Sequence, residues 1–286
     1  MSFEFWFMLP VSVAIATIAM ASGVEGATFF TPLFILALGL PTEVAVGVGL
    51  ITEVFGFASG LLSYARKKLI DYKLGLTMLM VTVPLALVGT WLARYVPPTI
   101  LKSILGVGLL LIASTFLKSP HKETVKLLDR EIGKLNPTER AKTTLVTRDG
   151  EEISYTVCNR AEGGVLGGIG ALFIGMISTG LGEMNGYFLL QRCKVLSRVS
   201  VATSVFIVAV TALVASAGHF VGFLTAGPGT LSLVSSLVVF IIPGVIIGGQ
   251  IGPLIASRVP QRALEVSLAV LFILVAALML ANVLLG

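Results

Sequence analysis

Two glutamates and one asparagine interrupt a chain of 286 residues that is otherwise very apolar. Glu183 and Asn185 lie in Gly180-Leu181-Gly182-Glu183-Met184-Asn185-Gly186, and Glu25 lies in Ser22-Gly23-Val24-Glu25-Gly26. An ionisable group within an apolar membrane segment is costly and is by default a functional hypothesis. Glu183 and Glu25 are therefore candidate proton carriers. The competing reading is a cap, with each carboxylate on the N-terminus of the half-helix that follows it. Asn185, Thr28, Thr203, Ser204 and, just beyond the second run, Gln191 are neutral polar groups near the two breaks. They supply the N–H and O–H donors that bind an anion. Thr203 and Ser204 equally fit the small residues that pack membrane helices together.

The glycines around these residues say what must hold them. Gly23, Gly26, Gly180, Gly182 and Gly186 free the backbone to leave helical geometry. Unwound backbone at membrane depth is tolerated only where it is buried in protein or lines a polar cavity. The reading is thus of two broken helices, with an unwound turn across Gly180–Gly186 exposing backbone N–H groups. Two such breaks at matching places in two halves point to the binding site of a transporter.

Composition bounds the rest. The chain is 56% hydrophobic and 12% charged, with mean hydropathy +0.98; a soluble domain carries about 25% charged residues. This predicts an all-α polytopic membrane protein. The net charge of +5 is read as loop lysine and arginine set by the positive-inside bias, and no nucleic-acid partner is expected. Cys158 and Cys193 have no partner at metal-ligand spacing and are read as free thiols. Residues 5–21 resemble a signal peptide, but Glu4 and the lack of Lys or Arg before them argue for a retained first helix. No zincin, Walker A, diphosphate-binding or serine-hydrolase motif occurs, so neither an enzyme nor a cofactor or metal is expected.

Apolar segments are predicted at 5–21, 27–40, 44–65, 74–92 and 100–117, then at 161–179, 187–191, 199–220, 231–256 and 263–285. Pro41-Thr42-Glu43 reads as a turn with Thr42 as an N-cap, and 222–229 as a loop. His219, near the end of its segment, reads as a solvated interfacial residue. Residues 118–160 hold nine basic and seven acidic residues and must be aqueous. Residues 122–135 have helical spacing, and β-prone runs flank Asp149-Gly150, a hairpin signal. This divides the chain into a first membrane repeat at 1–117, a soluble insert at 118–160 and a second repeat at 161–286.

The two halves share their punctuation. Pro84 and Gly89 answer Pro243 and Gly248, and Val96-Pro97 answers Val259-Pro260. About five crossings per half is odd, so the second half is inverted with respect to the first, with short or broken helices after the glycine breaks. Placing Arg66-Lys67-Lys68 in the cytoplasm puts 118–160, 192–198 and 258–262 there as well, and both termini outside.

The glycine breaks, Pro32, Ala45-Val46-Gly47, Val201-Ala202-Thr203-Ser204, Tyr64-Ala65-Arg66-Lys67-Lys68 and the Val-Pro turns together resemble the TauE/SafE sulfite-exporter permeases, over nearly all of the chain except 118–160. Two departures stand in the breaks: Glu25 in place of a glycine, and Glu183-Met184-Asn185 with no proline after it. The resemblance implies a plasma-membrane secondary transporter that exports a sulfur-containing or organic anion such as sulfite or a sulfonate. Proton coupling would run through Glu183 and Glu25. Its partners would be a small anion, the lipid bilayer and, as an option, further copies of the chain. An uncoupled anion channel, or a sensor or enzyme acting through the insert, is the alternative.

Overall fold

The computed structural model describes residues 3–22, 24–118, 143–155, 159–193, 195–256 and 261–285. The predicted helix at 122–135, together with Gly23, Cys158 and the Val259-Pro260 turn, lies outside them.

The protein is an all-α polytopic membrane protein. A 3-10 turn (Phe3–Phe5) leads into α1 (Met8–Ser22), α2 (Ala27–Leu36), α3 (Thr42–Arg66), α4 (Tyr72–Ala93) and α5 (Pro98–Lys118). After the hairpin strands β1 (Thr143–Val146) and β2 (Glu152–Tyr155) come α6 (Arg160–Ile177), α7 (Leu181–Gly186) and a π-helical turn (Tyr187–Arg192). The chain then forms α8 (Ser197–Ala226), α9 (Pro228–Ala256) and α10 (Gln261–Leu285). Among the described residues six helices are long and apolar enough to cross a membrane, namely α3, α4, α5, α8, α9 and α10. Helices α1, α2 and α6 are apolar but shorter.

Several boundaries differ from the sequence reading for local reasons. Thr42 does not cap α3: Pro41 holds that position, and the Thr42 hydroxyl is buried without a partner. The expected loop at 222–229 is helical up to Ala226, and the turn is the single residue Gly227, at φ +106°. Gly222 serves packing instead, since a Cβ there would lie 2.9 Å from the Arg94 guanidinium and 3.1 Å from Glu43 Oε1.

The helices pair in matched sets. Helix α1 packs along α9 as α4 packs along α6, α3 packs on α8, and α5 on α10. Glycines make the two closest pairings. In α4, Gly89 lies against the Leu172 carbonyl and 3.2 Å from the Gly175 Cα, measured from where its Cβ would be. In α9, Gly248 lies against the Val13 carbonyl and, measured in the same way, 2.8 Å from the Ala16 Cβ. Small residues at such crossings let helix backbones approach within van der Waals contact, which holds membrane helices together where the hydrophobic effect gives little. Helices α8 and α3 are the most buried spans and α10 the least; α10 shows Val270, Leu274 and Leu278 on its outer face, which suits lipid.

The hairpin forms where Asp149-Gly150 predicts it, with Gly150 at φ +81° and Thr143 opposite Tyr155. It docks on the helices. Tyr155 and Ile153 are buried in the same cluster as Leu69, Ile70 and Val195. The Tyr155 hydroxyl donates to Asp71 Oδ2 at 2.7 Å, while Asp71 Oδ1 accepts the Leu74 N–H at 2.9 Å and so caps α4. Burial, and then the Asp71 carboxylate, hold the Tyr155 phenol above its usual range. Arg198, at the start of α8, makes a two-pronged ion pair with Glu151 in the turn between β1 and β2. That guanidinium draws the Glu151 carboxyl below its usual range.

Candidate functional site

The second break is shorter than the sequence suggested, and it lies earlier. Helix α6 ends at Ile177, and Ser178 takes the left-handed conformation at φ +60° while its N–H still reaches the Ile174 carbonyl at 2.9 Å. Gly180 follows at φ +111°, a conformation that favours glycine. Helix then resumes at Leu181, so Gly182, Glu183, Asn185 and Gly186 are helical, and the expected unwound turn across Gly180–Gly186 is confined to Ser178–Gly180. Gly182 has a different task. A Cβ there would stand 2.5 Å from Glu25 Oε1, so glycine leaves the space that the Glu25 carboxylate occupies.

The two breaks meet. Glu25 Oε1 accepts the Gly182 N–H at 2.6 Å and Oε2 the Gly180 N–H at 3.2 Å. Glu25 is thus a cap, but on α7 of the other half rather than on α2, the helix that follows it. A carboxylate on the first N–H groups of a helix satisfies donors that the helix cannot, and it meets the positive end of the dipole. Two hydroxyl pairs tie the breaks together: Thr28 with Thr179 at 2.9 Å, and Thr31 with Ser178 at 2.6 Å. All four hydroxyls are buried.

Glu183 stands in the first turn of α7 and turns back toward the N–H groups of Gly180 and Glu183 itself, while its Oε2 is buried without a partner. Asn185 is fully buried, and neither its amide oxygen nor its nitrogen has a partner. Its Oδ1 faces Gly167 of α6, 3.4 Å from where a Cβ would be; Met78 and Thr82 of α4 border the same space. The structure therefore gathers Glu25, Thr28 and Glu183 where α2 meets the start of α7, with Gly26, Gly180 and Gly182 in its backbone, while Asn185, two residues beyond Glu183, faces α6 and α4.

Other expected residues lie elsewhere. Thr203 is on α8, where its Oγ1 accepts the Asp71 N–H at 3.1 Å, so its hydroxyl helps to hold the start of α4. Ser204 is buried beside it in sequence. Gln191 falls in the π-helical turn, and its side chain lies outside the described residues. Gly186 leads into that turn with open space around it.

Two expectations about single residues change. His219 is not interfacial. It is fully buried, with Nε2 2.9 Å from the Gly175 carbonyl and Nδ1 without a partner. Cys193 is not a free thiol, because its sulfur is disulfide-bonded. Sequence reasoning also passed over Glu53 of α3, which is 2% exposed and has no hydrogen-bond partner on either oxygen. A lone carboxylate between Thr52 and Val54 in an apolar span was a sufficient signal. Among the described residues no group of three His, Cys, Asp or Glu side chains is placed to hold a metal ion.

A family model described as "Sulfite exporter TauE/SafE" matches residues 8–279. The chain belongs to this family. It is a family of membrane transporters and not an enzyme class. A curated relative, the "Probable membrane transporter protein YunE" of Bacillus subtilis (strain 168), is 25% identical over 242 residues, covering 82% of this chain and 79% of the relative. No solved structure matches the chain. The TauE/SafE match runs through both breaks and across the insert, so the family frame contains the whole site.

Proposed function

We propose that this TauE/SafE protein is a secondary transporter that exports a small sulfur-containing or organic anion, such as sulfite or a sulfonate, across the plasma membrane with proton coupling. Asn185 carries the reading. A buried amide left without hydrogen bonds costs about 1–3 kcal/mol, and this one lies two residues beyond Glu183, on another face of α7, where the broken helix packs on α6. Such an amide is placed to donate to an anionic oxygen. Glu25 currently holds the N–H groups of Gly180 and Gly182. An ionised Glu183 beside the anion would repel it, so the anion and a proton load together. The matched pairings of α1 with α9 and of α4 with α6 support two inverted halves that rock about the site, and the Lys/Arg distribution supports both termini outside with residues 118–160 cytoplasmic.

The test is flux of labelled sulfite or sulfoacetate in proteoliposomes, with and without a pH gradient. Flux that follows the gradient supports the coupled transporter. Flux indifferent to it makes the protein an uncoupled channel, and no flux of either anion overturns the reading.

A further inference from the structure

Glu53 has no place in the site as built from the breaks, yet it is a fully enclosed carboxylate without a donor. An ionised carboxylate kept in that state costs several kcal/mol, so it needs a proton or a cation. Glu53 also lines a cavity of about 20 Å³ between α1, α3 and α9. A space of roughly 10–15 Å³ by this measure holds one water molecule. Val24 and Gly26, the residues on either side of Glu25, line the same cavity. The cavity therefore runs from the Glu53 carboxylate to the backbone that carries the α7 cap.

The surroundings choose the ligand. A hard metal cation takes about six oxygen ligands. Here the side-chain oxygens on the cavity are those of Glu53 and Thr52, and the Thr52 hydroxyl already donates to the Gly49 carbonyl at 2.6 Å. The rest of the lining is mainly apolar, with Ala19, Phe57 and Val245. A proton needs only one acceptor. Charged neighbours are few: Glu25 and Glu183 act on Glu53 electrostatically, while α1, α2 and α9 carry no titratable residue. On α8, His219 packs against Gly47, and Arg198 pairs with Glu151.

We propose that Glu53 is the proton-loading residue of this transporter, fed by a single water in the adjoining cavity and delivering to the Glu25–Glu183 pair. A hydronium gives its proton to a Glu53 oxygen and leaves as water. The O–H of Glu53 then passes that proton to a carboxylate oxygen of Glu25 or Glu183, and the total charge of the three groups is unchanged by that second step. The proposal rests on the coupled-transporter reading and names the group through which its proton enters.

Two measurements on the purified full chain separate the two ideas. Infrared difference spectra of the detergent-solubilised protein, without any anion, should show a protonated carboxyl C=O band at neutral pH. That band should vanish in Glu53→Gln and move in frequency in Glu53→Asp. In proteoliposomes, a gradient of one pH unit should change accumulation of sulfite by about tenfold in the native protein, as one coupled proton gives. Glu53→Gln should bring that ratio close to one, and Glu53→Asp should restore part of it. A C=O band that persists unshifted in both variants overturns the proposal, as does a Glu53→Gln protein that keeps the native gradient dependence. If the native protein moves neither sulfite nor sulfoacetate, the transport reading fails and the infrared band alone decides Glu53.

Discussion

Replacing Tyr155 with phenylalanine removes one oxygen from the docked hairpin and little else. The hydroxyl donates at 2.7 Å to Asp71, and the two residues are 0% and 6% exposed. A hydrogen bond to a charged acceptor contributes about 1.5–3 kcal/mol. Asp71 keeps its bond from the Leu74 N–H, so α4 stays capped and the loss is confined to the hairpin contact. In a chain of this size each kcal/mol shifts the midpoint by about 2–4 °C, so thermal unfolding in detergent should fall by roughly 3–12 °C. Adding Asp71→Asn should cost less than the sum of the two single changes, since both act on the same bond. The pH dependence has a definite sign. The phenol is held above its usual value near 10.0, so its stabilising effect is complete below that value and is lost as pH rises through the folded-state value. Alkaline conditions should therefore narrow the gap between native protein and Tyr155→Phe. A midpoint within about 1 °C of native, or strict additivity with Asp71→Asn, would mean that the hairpin rests on the helices without being held by this bond.

Changing Asn185 to Ala should weaken anion binding at every pH by about 10- to 100-fold, the loss of a hydrogen bond to a charged ligand; calorimetric titration with sulfite reads it. Glu183→Gln should leave binding in place and flatten its pH profile, and an unchanged profile would leave Glu183 as a cap alone. Gly248→Leu should destabilise by at least about 1–3 kcal/mol, because the side chain must push α9 off the α1 backbone at Val13; native-like unfolding of that variant would remove the close crossing from the account. A single cysteine at Arg148, an exposed hairpin position, should stay unlabelled by an impermeant reagent in intact cells, and labelling would reverse the orientation. Replacement of residues 119–142, the part of the insert before the docked hairpin, by a short flexible linker should leave flux unchanged if that part lies off the anion path.

Much of the architecture was legible because lipid imposes simple rules. Length and hydropathy fixed α3, α4, α5, α9 and α10 to within a few residues and found α8 without its last six, and Asp149-Gly150 placed the hairpin turn. What escaped was long-range. Gly182 looked like a place where helix unwinds, but its lack of a side chain serves Glu25, which arrives from the other half. Gly222 looked like part of a loop, yet it serves Arg94 and Glu43. His219 looked solvated, because nothing near it in sequence announces the Gly175 carbonyl. Thr203 looked like a ligand donor beside the break, and its partner is the backbone of Asp71. Glu53 was legible by the same rule that singled out Glu25 and Glu183, but no glycine break drew attention to it.

The cap on α7 also bears on how the chain is made. Glu25 and Gly180 are separated by 155 residues, and synthesis at about 5–20 residues per second puts roughly 8–30 s between them. Through that interval α1 and α2 wait in the bilayer with a carboxylate whose two N–H partners have not been synthesised. The nascent first half must keep Glu25 at water, at an interface or against the insertion machinery until α7 emerges. Its final seating is thus a late step of assembly, and pulse-chase proteolysis of released chains should show the segment around Glu25 accessible in those that end before Gly182.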